Sequence, residues 1–270
     1  MPSLSLREKP DVKQIQASIY DFPKYYDVLF GSDWKAEYDF ILASAREHSR
    51  RGVRRLFEPA CGTGRLLYRF AAAGFAVAGL DLNPRAVAYC NARLKRRGLP
   101  PAAFVGDMSD FRLRKRFDVA FNTINSFRHL PSEDAAAAHL QCVAAALGRG
   151  GIYVLGLHLT PTRGDPQDEE SWAARRGHLC VASRMQSLSL DRRRRRERVA
   201  MTIDVHTPTR HFRIADEFIF RTYTASQMRD LLARVPLLEW VETYDFAYRI
   251  DEPVRIGPET EDVALVLRRR

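Results

Sequence analysis

The amino-acid sequence predicts an α/β fold with a Rossmann-like parallel sheet. Three observations within residues 56–83 (LFEPACGTGRLLYRFAAAGFAVAGLDLN) support this prediction. A short apolar segment ends at the glycine turn Gly62-Thr63-Gly64, apolar residues then recur at helical spacing, and a second apolar segment ends at Asp81. Because ligands bind at the carboxyl ends of the strands in an open α/β sheet, the glycine turn and Asp81 mark the expected site.

The glycine turn separates two cofactor classes. A dinucleotide site favours Gly-x-Gly-x-x-Gly, but Leu67 stands at the third glycine position here. Two glycines with a preceding acid, Glu58, and no phosphate-binding lysine suit a nucleoside without phosphates. A carboxylate such as Asp81, about 20 residues past the glycines, suits the two hydroxyls of a ribose. An ordinary βαβ unit with a glycine turn is the structural alternative.

This stretch resembles motif I of the class I S-adenosylmethionine-dependent methyltransferases, Asp/Glu-x-x-Cys-Gly-Thr-Gly. The matching positions are Glu58, Cys61, Gly62, Thr63, Gly64 and Asp81. The resemblance implies a Rossmann-like class I methyltransferase fold with a seven-stranded sheet of order 3-2-1-4-5-7-6, and S-adenosyl-L-methionine as the cofactor. The cofactor-binding residues that it implies around the motif are Glu58, Ala60, Gly62, Gly64, Arg65, Asp81, Leu82 and Asn122.

A second family segment follows the third predicted strand, residues 103–105. It reads Gly106-Asp107-Met108-Ser109-Asp110-Phe111 and resembles the family segment Gly-Asp-Met/Ala-x-Asp-Phe. The resemblance implies that Asp107 accepts a hydrogen bond from the adenine amino group. It also implies that the backbone N–H of Met108 donates to the adenine ring.

Residues 1–18 form a polar arm, and the aromatic-rich segment 20–42 predicts two helices interrupted at Gly31. Asp33 is the expected cap of the second helix. The segment resembles the N-terminal lid of small-molecule methyltransferases, which implies that Tyr26 and Trp34 lie near the methionine part of the cofactor. The alternative is that these aromatic residues only pack the lid against the core.

The remaining core elements follow from apolar spacing and capping residues. Helices are predicted over 84–97, 132–147 and 225–235, with Ser132 and Thr224 as caps. Residues 117–121 predict the fourth strand, 148–151 a turn, and 152–159 the fifth strand. The final antiparallel pair is 238–244 with 262–267. This gives an N-terminal arm and lid (1–45), a cofactor-binding core (46–160), an insertion (161–223) and a C-terminal part completing the core (224–270).

The insertion predicts an antiparallel β-sheet. Residues 160–176 are expected to form a loop, and three strands are expected over 179–190, 198–206 and 211–223. Met201, Ile203 and Val205 alternate with polar residues, which predicts one buried face. That face could cover the acceptor pocket, pair with a second subunit, or do both.

Two histidines are candidates for a catalytic base. His129 follows the fourth strand and His158 ends the fifth, so both are expected to face the acceptor pocket. The alternative for each is a pocket or core histidine that moves no proton. The loop around His129 resembles the Ser-x-Gly-His/Tyr-Leu loop of bacterial amino-sugar N-methyltransferases, with Arg128 in place of glycine.

Composition limits the other function classes. The chain has 270 residues, 46% hydrophobic content and a net charge of +10. The charge raises the question of nucleic acid, but no aromatic residues interleave with the arginine runs, so a nucleic-acid partner is not favoured. Four cysteines without CxxC pairing predict a reduced, cytoplasmic protein with no structural metal. No run of apolar residues is long enough to predict a membrane span. Either a monomer or a homodimer is compatible with the sequence.

The sequence therefore predicts a methyltransferase that uses S-adenosylmethionine to methylate an amine or hydroxyl of a small molecule. One alternative, motivated by the charge, is an RNA or protein methyltransferase. Another is a non-catalytic cofactor-binding or assembly protein with the same fold.

Overall fold

Two β-sheets organise the chain in the computed structural model, which describes residues 12–270. The strands are β1 Lys13–Gln16, β2 Arg55–Pro59, β3 Ala76–Asp81, β4 Ala103–Val105, β5 Phe117–Asn122, β6 Leu147–His158, β7 Glu169–Arg176, β8 Leu179–Asp191, β9 Arg196–His206, β10 His211–Arg221, β11 Leu238–Tyr244 and β12 Asp262–Arg269. The helices are α1 Pro23–Phe30, α2 Lys35–His48, α3 Leu67–Ala72, α4 Pro84–Arg96, α5 Glu133–Ala146 and α6 Ala225–Ala233. Most of the predicted polar arm lies outside the described residues.

The larger sheet has seven strands in the order β4-β3-β2-β5-β6-β12-β11. Numbered within this sheet, the order is 3-2-1-4-5-7-6, so the predicted topology is confirmed. β12 runs antiparallel to both β6 and β11, while the other pairs are parallel. Every residue of β5 is buried, as expected for a central parallel strand covered by helices on both faces.

Helix starts follow their capping residues closely. The Asn83 side chain accepts from the backbone N–H of Arg85 at 2.8 Å and so begins α4. Ser132 caps α5, and Thr224 forms a reciprocal capping box with Gln227 at α6. The prediction that Asp33 caps α2 is wrong: the N-cap position is Trp34, with no side-chain capping bond.

The predicted turn at 148–151 is also wrong, because β6 already begins at Leu147. Gly150 has a positive φ of 79°, and the β5–β6 register shifts between Phe117 and Val119. The glycines therefore produce an irregularity inside the strand, and the chain does not reverse there.

The inserted sheet has five strands, in the order β1-β10-β9-β8-β7. The loop predicted over 160–176 is wrong where β7 forms. The sequence predicted three strands, fewer than the five strands of this sheet. β7 is an edge strand exposed along most of its length, so it lacks the alternation of a half-buried strand. β1 pairs in parallel with β10, while the other pairs of this sheet are antiparallel.

The buried face of the inserted sheet packs against the N-terminal segment. Ile203 and Ile214 from the sheet contact a cluster that contains Ile19, Val28 and Leu29 from residues 19–30. The alternation predicted for β9 is confirmed, since Val205 is buried and His206 is exposed. The apolar face is therefore covered, in this chain, by α1 and the turn before it. No helix among residues 12–270 is long and apolar enough to cross a membrane.

Candidate active site

The loop after β2 exposes its backbone at the carboxyl end of the sheet. Ala60, Gly62 and Gly64 have φ values of 55°, 52° and 66°. A Cβ on Gly64 would lie 2.3 Å from the Sγ of Cys90, so this position requires glycine. A Cβ on Gly62 would meet no described atom within 4 Å. The Gly62 backbone therefore faces open space, where a ligand can approach it closely.

Asp81 ends β3 beside this loop. Its carboxylate accepts hydrogen bonds from the backbone N–H groups of Gly62 and Asn83, both at 2.8 Å. Burial raises the pKa of Asp81, and the two N–H donors oppose that rise. Leu82, the next residue, is 72% exposed. The structure thus brings Asp81 and the glycine loop together as the sequence predicted, while the ribose contact stays a prediction.

The segment after β4 lies next to Asp81. The backbone N–H of Gly106 donates to the Asp81 carbonyl at 3.1 Å. The exposed Asp107 carboxylate accepts from the N–H and the hydroxyl of Ser109, both at 2.7 Å. The Met108 carbonyl accepts from a ring nitrogen of His139 at 2.9 Å. The contacts that the resemblance implied from Asp107 and Met108 to adenine stay predictions.

Two buried polar side chains behind the glycine loop each have one oxygen without a hydrogen-bond partner among residues 12–270. Glu58 is 8% exposed, and its Oε2 has no hydrogen-bond partner among the described residues. Burial raises the pKa of Glu58 well above its usual value. Asn122 donates to the Pro59 carbonyl at 2.8 Å, but its Oδ1 is likewise without a described partner. Because an unpartnered buried acceptor is costly, a donor group of a ligand would stabilise these two oxygens, and their cofactor contact stays a prediction.

A buried cation lies in the same region. Arg65 is 7% exposed, forms an ion pair with Glu37 and donates to the Thr123 hydroxyl at 3.4 Å. Burial raises the pKa of Tyr26 to about 12, while the Arg65 charge lowers it and the Asp81 charge raises it. Tyr26 therefore stands as a neutral hydroxyl among the charges of this site.

These groups fit S-adenosylmethionine. An amino-acid end of the cofactor needs a cation for its carboxylate and acceptors for its ammonium group, which Arg65, Glu58 and Asn122 could supply. An adenosine end needs acceptors for its hydroxyls, for which Asp81 is placed at the edge of the loop. Trp34 packs against the Arg69 guanidinium, 4.0 Å from the ring centroid, so its cofactor contact stays a prediction.

A tyrosine–histidine pair stands beside the cofactor region. The Tyr20 hydroxyl and the Nε2 of His129 are 2.8 Å apart, and the Tyr20 and Tyr26 ring centroids are 5.6 Å apart. Burial and, to a smaller extent, the charge of the neighbouring Arg128 lower the pKa of His129 to about 4. His129 is therefore neutral at pH 7. The sequence analysis missed Tyr20, although it lies in the aromatic segment assigned to the lid.

His158 occupies a different position, at the rim of a cleft between β6 and the inserted sheet. Its Nδ1 lies 2.6 Å from the Oδ1 of Asp262, and its backbone N–H donates to Asn125 at 3.0 Å. The cleft has a volume of about 520 Å³, open solvent included. Besides His158, the cleft is lined by one basic and five acidic residues, Arg128, Asp168, Glu169, Glu170, Glu197 and Glu261. The two candidate histidines thus face different surroundings.

The lid helix α1 is tied to both the glycine loop and the inserted sheet through Asp27, which the sequence analysis did not identify. Asp27 is 1% exposed and forms ion pairs with Arg93 and, at 2.8 Å, with Arg176 of β7. It also accepts from the Thr63 hydroxyl at 3.2 Å and from the Tyr89 hydroxyl at 3.1 Å. The Tyr26-Asp27 pair in the lid segment was the available signal, but its partners lie far apart in the chain.

Comparison with known proteins agrees with this geometry. Residues 57–151 match the family model described as "Methyltransferase domain". A dTDP-3-amino-3,4,6-trideoxy-alpha-D-glucopyranose N,N-dimethyltransferase from Streptomyces venezuelae is 30% identical over 139 residues, covering 50% of this chain and 56% of that protein. A dTDP-4-amino-2,3,4,6-tetradeoxy-D-glucose N,N-dimethyltransferase from Saccharopolyspora spinosa is 29% identical over 220 residues, covering 78% and 85%.

The fold comparison covers nearly the whole chain. The crystal structure of Streptomyces venezuelae DesVI matches with a TM-score of 0.75 at 20% identity, covering 95% of this chain and 100% of that one. By sequence, however, the chain spans about half the length of three of the curated relatives it matches, between 52% and 57%.

The strand order, the glycine loop and Asp81 at the end of β3 together define a protein with the class I methyltransferase fold. Within that fold, residues 57–151 match the model of a methyltransferase domain, so this part of the chain is similar to S-adenosylmethionine-dependent methyltransferases. The resemblance drawn from the motif residues is confirmed.

Proposed function

We propose that this protein transfers a methyl group from S-adenosylmethionine to an amine of a small molecule. The observation that carries the proposal is the Tyr20–His129 pair, at 2.8 Å, beside the cofactor region marked by Tyr26 and Asp81. The two relatives from Streptomyces venezuelae and Saccharopolyspora spinosa are named as methyltransferases of amino sugars, which supports an amino sugar as the acceptor.

The cofactor, when bound, supplies an electrophilic methyl group. Arg65 and Glu58 hold its amino-acid end, and Asp81 accepts from the ribose hydroxyls. Asp107 and the Met108 N–H select adenine. The lid residues Tyr26 and Trp34 exclude water from the methionine end. Holding the acceptor in line with the methyl group can contribute roughly 7–11 kcal/mol to the barrier reduction, so positioning is the main task of these residues.

An amine suits the pair better than a hydroxyl does. A hydroxyl must lose its proton to become a good nucleophile, and a histidine whose pKa is about 4 is a weak base. A neutral amine already carries a lone pair and needs only orientation. The neutral His129 ring adds no positive charge that would repel a partly protonated amine. Tyr20 and His129 therefore orient the amine.

The cleft beside His158 offers polar groups to a small polar acceptor. Glu170 in this cleft is half-buried, and burial raises the pKa of its carboxyl. The Phe220 ring lines the cleft and also lies 4.8 Å from the His129 ring, centroid to centroid. The Phe220 ring therefore borders both the cleft and the Tyr20–His129 pair.

A methyl-transfer assay with radiolabelled cofactor tests the proposal. The acceptor panel contains an amino sugar, its hydroxyl analogue and a single-stranded RNA. We expect label in the amino sugar alone, and a His129→Asn variant should lose turnover while binding S-adenosylhomocysteine normally. Label in the RNA or in the hydroxyl analogue would contradict the amine assignment. Binding of the cofactor with no transfer to any acceptor would favour an assembly role.

Partners and location are part of the same proposal. The acceptor is a small molecule, nucleic acid is not the substrate, and both a monomer and a homodimer remain compatible with the covered face of the inserted sheet. All four cysteines are unpaired thiols, which supports a reducing compartment such as the cytoplasm.

A further inference from the structure

A cleft rich in arginine lies at the opposite end of the large sheet from the glycine loop. It is lined by Arg50, Arg51, Gly52, Arg54, Arg55 and Asp118, and we name it the arginine cleft. Arg55 begins β2, whose carboxyl end leads into the glycine loop. A strand of five residues separates the two places, a span of roughly 16 Å. The arginine cleft is therefore outside the candidate methylation site.

A buried carboxylate builds the arginine cleft. Asp118 is 5% exposed, and its Oδ2 accepts from the backbone N–H groups of Arg54 at 2.9 Å and Arg55 at 3.0 Å. Its Oδ1 accepts from the Nε of Arg51 at 2.9 Å. These three bonds lower the pKa of Asp118 against the effect of burial. The segment that carries the arginines is thus held in one conformation before any ligand arrives.

The arginine cleft carries more positive charge than its carboxylate can balance. Asp118 forms an ion pair with Arg51, whereas Arg50, Arg54 and Arg55 form no ion pair with a carboxylate among the residues described, 12–270. Exposed arginines also stand at the neighbouring strand ends, Arg116 before β5 and Arg149 within β6. Guanidinium groups that line the same cleft repel one another, and an anion bound there would relieve that repulsion.

The lining residues indicate which kind of anion the arginine cleft would bind. Guanidinium groups match phosphate oxygens through paired N–H donors, and several such groups favour linked phosphates over a single one. The lining contains no aromatic ring on which a nucleic-acid base could stack. The cleft is open to solvent, and its volume is about 790 Å³ with that solvent included, so a small molecule can enter it.

We propose that the arginine cleft binds a small anion carrying two or more linked phosphate groups. The site is independent of methyl transfer, since none of its residues contacts the glycine loop or the Tyr20–His129 pair. Arg54 and Arg55 are exposed and supply unpaired guanidinium groups, while Arg51 is held by Asp118. Binding there would neutralise part of the net charge of +10.

The test is a calorimetric titration of inorganic tripolyphosphate into the full-length protein at constant ionic strength. The variant Arg54→Ser/Arg55→Ser removes two charges from the arginine cleft. The matched control Arg193→Ser/Arg194→Ser removes two exposed arginines from the turn between β8 and β9. We expect one tripolyphosphate per chain for the wild type and the control, and at least a tenfold loss of affinity for the cleft variant.

Further measurements distinguish binding at the arginine cleft from a general effect of charge. Thermal unfolding checks that both variants are folded, and sulfate at equal ionic strength checks that linked phosphates are required. Equal loss in both double variants would overturn the proposal, because it would mean that only total charge matters. Absence of tripolyphosphate binding to the wild type, or tight binding of a single-stranded RNA without tripolyphosphate binding, would overturn it as well. The single variant Arg50→Ser should lose part of the affinity.

Discussion

At the scale of single residues, two buried histidines are held neutral. His139 contacts the Met108 carbonyl through Nδ1, and a carbonyl oxygen can only accept, so Nδ1 carries the proton. Its Nε2 then accepts from the Tyr153 hydroxyl at 2.9 Å. Burial lowers the pKa of both His139 and His129 to about 4. Protonation would place a charge in the core and turn the Nε2 acceptor of His139 into a donor.

This arrangement predicts a loss of stability in mild acid. The folded-state pKa lies below the ordinary histidine value near 6.5, so the unfolded chain binds more protons as the pH falls. The free energy of unfolding is therefore highest above about pH 6.5. The lowered pKa of each histidine should reduce it by roughly 2 kcal/mol between pH 7.5 and pH 5. Urea unfolding at the two pH values measures the loss. In the His139→Gln variant, the difference in free energy of unfolding between the two pH values should be smaller than in the wild type. An unchanged difference would contradict a neutral, buried His139.

Asp81 gives a second residue-scale prediction. Asp81→Ala removes an acceptor for the ribose hydroxyls and also frees the Gly62 N–H, which loosens the loop. Hydrogen bonds to a charged group contribute about 1.5–3 kcal/mol, which corresponds to roughly 10- to 150-fold weaker binding of S-adenosylhomocysteine. Calorimetry measures the change, with Asp230→Ala on the exposed side of α6 as the control. Equal affinities in the two variants would remove Asp81 from the site.

At the scale of elements, the lid is the part that joins the others. Asp27 of α1 binds Thr63 of the glycine loop, Arg93 of α4 and Arg176 of β7. The neighbouring Tyr26 stands at the cofactor region. The inserted sheet therefore helps to hold the lid in place through Arg176, in addition to any contact that the sheet makes with the acceptor.

A single arginine in β7 tests this coupling. Arg176→Gln removes one ion pair from Asp27, and because Arg176 is 54% exposed at its side chain we expect only about 1 kcal/mol, or about fivefold weaker binding of S-adenosylhomocysteine. Arg175→Gln is the matched control, since Arg175 donates to Gly177 in its own turn. If the two variants bind S-adenosylhomocysteine with equal affinity, the ion pair between Arg176 and Asp27 does not help to hold the lid. Arg176→Lys should recover part of the affinity.

The elements also show what local sequence can predict. Helices α4, α5 and α6 were predicted because Asn83, Ser132 and Thr224 cap them and their apolar spacing is local. β7 was missed because an edge strand exposed on both faces has no hydrophobic alternation. Its partner β8 supplies the hydrogen bonds, and pairing of that kind leaves no signal in the strand's own residues.

At the scale of the whole molecule, the two ends of the large sheet differ in chemistry. The carboxyl end gathers Glu58, Asp81 and the Tyr20–His129 pair, and the amino end gathers the arginine cleft. The glycine loop and Asp81 could be predicted because they lie within one βαβ unit. The Asp27–Arg176 and Tyr20–His129 contacts could not, because 149 and 109 residues separate the partners in the chain.

The central claim is that the glycine loop and Asp81 form a site for S-adenosylmethionine. Titration of S-adenosylhomocysteine into the wild-type protein by calorimetry tests it most directly. We expect one molecule per chain with a micromolar dissociation constant, about −8 kcal/mol of binding free energy, and no comparable binding of NAD. No measurable heat with S-adenosylhomocysteine, or tighter binding of NAD, would contradict the claim.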